Sequence, residues 1–402
     1  MPWKRLSDVF ISVTGALTLT LILASGALAA PKYKVLHAFT GGKDGGGLWG
    51  SLLLDKRGNL YGTTLLNTVF ELTPGRNGWH VKVLYTFKGK DGAGPHGGLI
   101  FDPVGNLYGT TTTGGAHDSG VAFELTPGSS GWAETVLYNF CSLPGCKDGG
   151  SPWAGLVRDK AGNLYGTGYA AFELSPGPDG WKEVALHDFT CRNHDGCGPF
   201  AGVIMDTVGN LYGATERGGS YKAGTVYELR STSGGWKERV LHSFPASQYD
   251  GQVPGVGALV FDGAGSVYGT TNQGGRHTCV DVGCGTVFKL TPGSNGQWAE
   301  TILYNFTGNA NGSGPGGGLV MDKAGNLYGT TIAGGTGCDC GVVYELAPGS
   351  KGKWKYTVLH RFTGFDGAQP DANLILDKKG NLYGTTATGG AGGYGVAFEL
   401  TP

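Results

Sequence analysis

The sequence predicts an all-β fold: a seven-bladed β-propeller of four-stranded blades, its ring closed by the N-terminal strand joining the last blade. Three observations predict it. The phrase Asp-x-x-Gly-Asn-Leu-Tyr-Gly-Thr-Thr recurs seven times with small variations, its aspartates being Asp55, Asp102, Asp159, Asp206, Asp262, Asp322 and Asp377. Successive copies lie 47 to 60 residues apart, the period of a propeller blade or a related all-β repeat. Each unit carries four short strand signals bounded by Gly, Pro, Asn or Asp, and no amphipathic helix interrupts the series.

The first element is not a strand. Lys4 and Arg5 precede a predominantly apolar stretch from Val9 to Ala24, followed by the small-x-small triplet Ala27-Leu28-Ala29. Residues 1–30 therefore read as a secretory signal peptide cleaved near Ala29 or Ala30, and residues 31–402 as a single propeller domain of seven repeats. An uncleaved anchor is the alternative, disfavoured because the run is short and mixed with Ser and Thr. No later stretch approaches the ~20 apolar residues of a spanning helix, so no membrane span is expected after cleavage. A secreted, periplasmic or cell-surface protein follows.

Within a unit the strands come in a fixed order, here a to d. Leu99-Ile100-Phe101 leads into the Asp102–Asn106 turn, and Leu107 to Thr111 returns from it. The run Val121-Ala122-Phe123-Glu124-Leu125 ends at Thr-Pro-Gly, and Trp132 to Phe140 completes the unit. The mature chain opens on a lone fourth-strand pattern, Val35-Leu36-His37-Ala38-Phe39, and ends on a third-strand pattern, Val396 to Leu400. The first segment thus supplies the strand the last blade lacks, which leaves no free edge blade.

Composition excludes several classes. The 402 residues include 78 Gly and 18 Pro, just under the roughly 25–30% at which an aperiodic chain is suspected of disorder. The 40% hydrophobic and 11% aromatic content and the fixed glycine spacing argue for a packed fold. A formal charge of −1 removes the electrostatic footprint of a nucleic-acid binder and of a polybasic membrane-surface protein. Catalytic signatures are missing: there is no Gly-x-Ser-x-Gly elbow, His-Glu-x-x-His, phosphate loop or dinucleotide fingerprint. No catalytic residue, cofactor or metal is expected.

Eight cysteines suit an oxidising compartment. They form four close pairs, Cys141/Cys146, Cys191/Cys197, Cys279/Cys284 and Cys338/Cys340, read first as short loop disulfides. One residue between Cys338 and Cys340 makes pairing with the Cys279/Cys284 loop an alternative, and a zinc site built from those four thiols a second one.

The Gly-Asn-Leu-Tyr-Gly-Thr-Thr phrase, the Phe-Glu-Leu-Thr-Pro-Gly run and the Trp…Val-Leu-His/Tyr-x-Phe strand resemble the GloVer tandem-repeat proteins of bacteria. The resemblance covers essentially the whole mature chain. It implies an exported repeat protein with propeller-like repeats, and it carries over no catalytic residues.

Residues present in every blade are expected to build blades. The turn aspartates cap backbone N–H groups, with glycine at positive φ. His37, His187, His242 and His360 take the place of Tyr85, Tyr138 and Tyr304, which reads as packing between blades, and spread around the ring they are not expected to converge on a metal. The fourth-strand tryptophans read the same way. The connector aspartates (Asp44, Asp91, Asp148, Asp195, Asp250, Asp366) supply one carboxylate each, against the six to eight oxygens of calcium, and read as turn formers.

Function is expected on the face that holds the b–c loops and the d–a connectors, where nearly all length variation and all the cysteines fall. The residue after the connector proline should sit at the mouth of the central channel. Around the ring that position holds Trp49, His96, Trp153, Phe200, Gly255, Gly316 and Asp371. An aromatic arc beside a small or acidic sector suits a flat, partly apolar ligand such as a sugar chain or an aromatic group. The competing reading is that the rings plug the channel. Trp49, His96, Trp153, Phe200 and Asp371 are the candidate ligand-binding residues, with Arg217 and His277 as further polar groups. The expected function is non-catalytic binding of carbohydrate or another surface protein; the alternative is a polysaccharide-active hydrolase or lyase with its site at the channel mouth.

Overall fold

Alternating apolar and polar residues make each repeat a four-stranded antiparallel sheet, the fifth carrying Gly251–Pro254 as an extra strand, and seven such sheets form the ring. A computed structural model describes residues 30–247, 249–255, 257–279 and 282–402; the signal-peptide reading falls on residues 1–29, outside them. In the second blade the strands are Ile100–Phe101 (a), Leu107–Thr110 (b), Val121–Gly128 (c) and Gly131–Asn139 (d). The seventh blade takes its first three strands from Ile375–Leu376, Leu382–Thr385 and Val396–Thr401 and its fourth from Lys32–Ala38. Lys32 pairs with Thr401 and Val35 with Phe398, so the two ends of the propeller chain close the ring in one sheet.

The repeated turn works as its residue types require. Asp102 Oδ1 accepts hydrogen bonds from the backbone N–H of Val104, Gly105 and Asn106 at 2.9, 2.7 and 2.9 Å, and Gly105 sits at φ +101°. The Tyr108 hydroxyl donates to Glu124 at 2.8 Å, tying strand b to strand c.

Blades adhere through phenylalanines. The ring that ends strand d packs on the strand c ring of the next blade: Phe87 on Phe123 at 4.9 Å, Phe140 on Phe172 at 4.8 Å, and across the closure Phe39 on Phe70 at 4.9 Å. Phe39, Phe70 and Phe123 are fully buried, each such burial contributing about 1.5–3 kcal/mol. The fourth-strand tryptophans meet the turn tyrosine of the preceding blade, as Trp181 meets Tyr108 and Trp236 meets Tyr165.

A β-bulge recurs where strand c meets strand d, between Ala122 and Phe123 in the second blade and at the matching place in all seven sheets. The extra residue re-aims the one after it. Tyr85, Tyr138, His187, His37 and His360 thereby reach the connector aspartate, whereas His242 faces Glu300 at 3.3 Å and the connector after Tyr304 carries Asn311 in place of aspartate. Tyr85 donates to Asp91 at 2.5 Å, Tyr138 to Asp148 at 2.8 Å, and His187 Nε2 lies 3.1 Å from Asp195. The same aspartates accept backbone N–H groups, Asp91 from Lys88 and Asp148 from Ser142, which agrees with turn formation.

All four close cysteine pairs are disulfides: Cys141–Cys146, Cys191–Cys197, Cys279–Cys284 and Cys338–Cys340. Pairing of Cys338 or Cys340 with the Cys279/Cys284 loop, and a zinc site made from these thiols, are both corrected. The Cys279–Cys284 bridge packs beside Gly308, whereas Cys338–Cys340 packs beside Gly364, one blade further round, so the two loops serve different connectors.

Candidate functional site

The repeat itself positions the channel mouth. In five of the seven blades the first threonine of Gly-Thr-Thr donates across the blade boundary to the carbonyl that follows the channel-mouth residue of the next blade; Ala214 replaces it in the fourth blade, and Thr330 in the sixth has no partner among the described residues. Thr63 bonds Gly97 O at 3.1 Å, Thr110 bonds Ala154 O at 3.0 Å, and Thr167 bonds Ala201 O at 3.0 Å. These bonds fix the backbone beside His96, Trp153 and Phe200 in turn. Thr385 bonds Gly50 O at 3.4 Å and does the same beside Trp49, across the ring closure. Backbones approach so closely here that a Cβ on Gly97 would overlap the Ala154 carbonyl.

The mouth opens into a cavity of about 480 Å³, within the range of small-ligand sites. Trp49, His96, Trp153, Phe200 and Asp371 all line it. First-strand residues of the second to fourth blades, including Ile100, Val157 and Ile204, also line it, and Ala258 of the fifth blade and Asn373 of the seventh contribute. Gly255 and Gly316, the small residues of the other sector, are not part of its wall.

The four aromatic residues form one continuous chain. Ring centroids are 5.4 Å apart for Trp49 and His96, 4.7 Å for His96 and Trp153, and 5.6 Å for Trp153 and Phe200. The last two contacts are edge-to-face, at interplanar angles of 64° and 69°, an arrangement that covers a face of only one ring in each pair. Trp49, Trp153 and Phe200 keep 37%, 40% and 39% of their surface exposed. They line the opening and leave it unfilled, which counts against the plugging reading.

Hydrogen bonding and burial set the protonation of the wall. His96 Nδ1 lies 3.1 Å from Trp153 O, and burial holds its pKa below the usual imidazole value, so the ring is neutral at pH 7. Burial pushes the Asp371 carboxyl up to about 6. Among the described residues its carboxylate has no hydrogen-bond or ion-pair partner, and Oδ1 is buried against Gly316, where any Cβ would overlap it. A glycine at that position in the sixth blade is what leaves room for Asp371.

A residue that sequence reasoning missed completes the wall. Glu216, just after strand b of the fourth blade, lines the cavity beside Phe200, and its Oε2 is buried without a hydrogen bond. Arg217 Nη2 approaches that oxygen at 3.3 Å, but the Arg217 side chain is 72% exposed and screened by water. The signal was available in the sequence, because Glu216 is the one carboxylate at a position that holds Leu65, Thr112, Tyr169, Asn272, Ile332 and Ala387 in the other blades. Arg217 is outside the wall, and His277 is exposed and away from it.

The histidines need one correction. They do not meet one another, but His187, Asp195 and Glu238 place their ligating atoms within 4.8 Å. The equivalent positions at neighbouring boundaries hold Tyr85, Asp91 and Glu134, then Tyr138, Asp148 and Glu183. Phenols occupy the same clamp without any metal chemistry, so the trio is a blade fastener in which imidazole replaces phenol. In these fasteners burial and the facing aspartate raise Glu134 and Glu183 to about 7.

Comparison with known proteins bears on the repeat and the fold. The Gloeobacter/Verrucomicrobia repeat profile matches residues 24–170, 65–282, 170–351 and 265–402. No curated protein matches the chain. Among solved structures, a protein described as the extracellular domain of a one-component system from B. thetaiotaomicron superposes with a TM-score of 0.55 at 12% identity, covering 91% of this chain and 39% of that one. One described as the extracellular domain of a hybrid two-component system from the same organism gives a TM-score of 0.57, again at 12% identity, 91% and 39% coverage. The chain thus spans about two-fifths of those proteins, and the likeness concerns the fold alone. Among the described residues, no helix is long and apolar enough to cross a membrane.

Proposed function

The chain belongs to the Gloeobacter/Verrucomicrobia repeat family, and from that premise we propose that this member is an exported, non-catalytic binding module that holds a small or chain-end ligand at the mouth of its channel. One observation carries the reading: a 480 Å³ cavity walled by four linked aromatic residues, three of them more than a third exposed. Exposed aromatic faces next to carboxylates suit a saccharide, whose C–H faces lie on rings while hydroxyls donate to carboxylate oxygens. Placement outside the cytoplasm is supported by four disulfides and by the charged, apolar and small-residue pattern of residues 1–30.

A second reading, a polysaccharide hydrolase or lyase, draws on Asp371 and Glu216. Both border one cavity, and a carboxyl raised to about 6 is suited to general acid work. One experiment separates the two. Mature protein is incubated with a polysaccharide panel, and retained protein and released reducing ends are read from the same wells. Retention without product is expected for the binding module. Product that disappears in Asp371→Asn would put the enzyme first, and neither signal would remove carbohydrate as the ligand.

A further inference from the structure

We propose that the channel mouth selects cationic ligands, specifically a protonated amine carried on a saccharide or aromatic body. This rests on the channel mouth being the binding site and names the chemistry of its occupant.

Charge is the first argument. The ionisable residues of the cavity wall are His96, Glu216 and Asp371; among the described residues no lysine or arginine lines it. His96 is bonded to the Trp153 carbonyl, so the fixed charges that face the cavity are carboxylates. Among the described residues the one cation paired with either is Arg217, which is 72% exposed and lies outside the wall.

Unmet hydrogen bonding is the second. Buried polar atoms in folded proteins are almost always paired, and an unpaired buried carboxylate oxygen is among the costlier exceptions. Each wall carboxylate has one buried oxygen without a hydrogen bond, Asp371 Oδ1 sealed against Gly316 and Glu216 Oε2 facing only Arg217 Nη2 at 3.3 Å, and no residue among those described donates a hydrogen bond to the other oxygen of either. Neutral hydroxyls could donate to these carboxylates, but an ammonium donates and also offsets the charge, roughly doubling the strength of each bond.

Geometry is the third. The carboxylates flank the aromatic chain at its two ends: Glu216 lies beside Phe200, and Asp371 belongs to the blade next to that of Trp49. A cation held at either end lies next to a ring whose π-face attracts it, the arrangement that recognises organic ammonium ions. Within the wall, a neutral His96 adds a further ring without adding repulsion. An anionic ligand would meet the same carboxylates with no compensating group.

Two matched probe pairs test this by calorimetry with the mature chain at pH 7.5: glucosamine hexamer against N-acetylglucosamine hexamer, and benzyltrimethylammonium against benzyl alcohol. The amine or ammonium member of each pair is expected to bind at least tenfold more tightly. Asp371→Asn and Glu216→Gln, each nearly isosteric, should each reduce that preference several-fold while leaving the neutral partner unchanged. Equal affinity within both pairs, or preference for the neutral member, overturns the cation proposal and leaves the channel site standing. If no probe binds, the cation proposal falls, and retention of other saccharides by wild type but not by Trp49→Ala/Trp153→Ala then decides the channel site separately. Amine preference that survives both carboxylate variants also overturns it.

Discussion

Replacing Glu134 and Glu183 by Gln should stabilise the propeller, and by more as pH rises. Both carboxyls sit in blade fasteners, where Glu134 faces Asp91 and Glu183 faces Asp148, and each has one buried oxygen without a hydrogen bond. Burial, then the facing aspartate, raises each from its ordinary 4.5 to about 7. A carboxyl whose folded pKa lies above its unfolded value favours the fold fully below pH 4.5 and loses that contribution as pH climbs through about 7. At 1.36 kcal/mol per pH unit the displacement corresponds to roughly 3 kcal/mol in a sealed interior. These side chains are half-exposed, and solvent screening reduces that to about 1 kcal/mol each. Glutamine imitates the protonated acid at every pH. The double variant should therefore match wild type near pH 4.5 and exceed it by about 2 kcal/mol at pH 8.5, roughly 2–4 °C in Tm for a chain of this size. Thermal melts of both proteins at half-unit steps from pH 4.5 to 8.5 read the gap directly. Because the two proteins share every other titrating group, only the difference counts. A gap that stays constant or narrows with rising pH refutes the reasoning.

Three other outcomes follow from the same structure. Trp49→Ala combined with Trp153→Ala should weaken saccharide retention at least tenfold, at about 0.5–1.5 kcal/mol per ring beyond lost burial, with Tm nearly unchanged because both rings are partly exposed; unchanged affinity removes the arc from the site. Binding of an ammonium probe should weaken by about tenfold as pH falls from 7.5 to 5, since Asp371, raised to about 6, loses its charge over that span, and the dependence should flatten in Asp371→Asn. Deleting residues 31–39 takes away the fourth strand of the seventh blade and the buried Phe39, and should leave a chain that melts many degrees lower or aggregates; a variant that melts with wild type argues against closure by this strand.

The sequence by itself determined the architecture. Seven copies of one turn phrase, four strand signals per copy and complementary patterns at the two ends require the same hydrogen-bonded unit seven times and a shared last blade. Local chemistry is enough for this, since Asp102 capping its own turn involves only residues within one hairpin. The channel-mouth residues were legible for a related reason: a fixed offset from a repeated turn puts Trp49, His96, Trp153, Phe200 and Asp371 at equivalent places. Tertiary structure alone decided what depends on neighbours from other blades. It showed that the four aromatic residues touch in sequence while leaving a cavity, that Asp371 has Gly316 for a neighbour and no donor, and that Glu216 enters the same wall. It also set the raised pKa of Glu134 and Glu183. The aromatic contacts, the approach of Asp371 to Gly316 and the raised pKa values arise across blade boundaries, between residues 35 to 57 positions apart, and no local pattern in the chain encodes such distances.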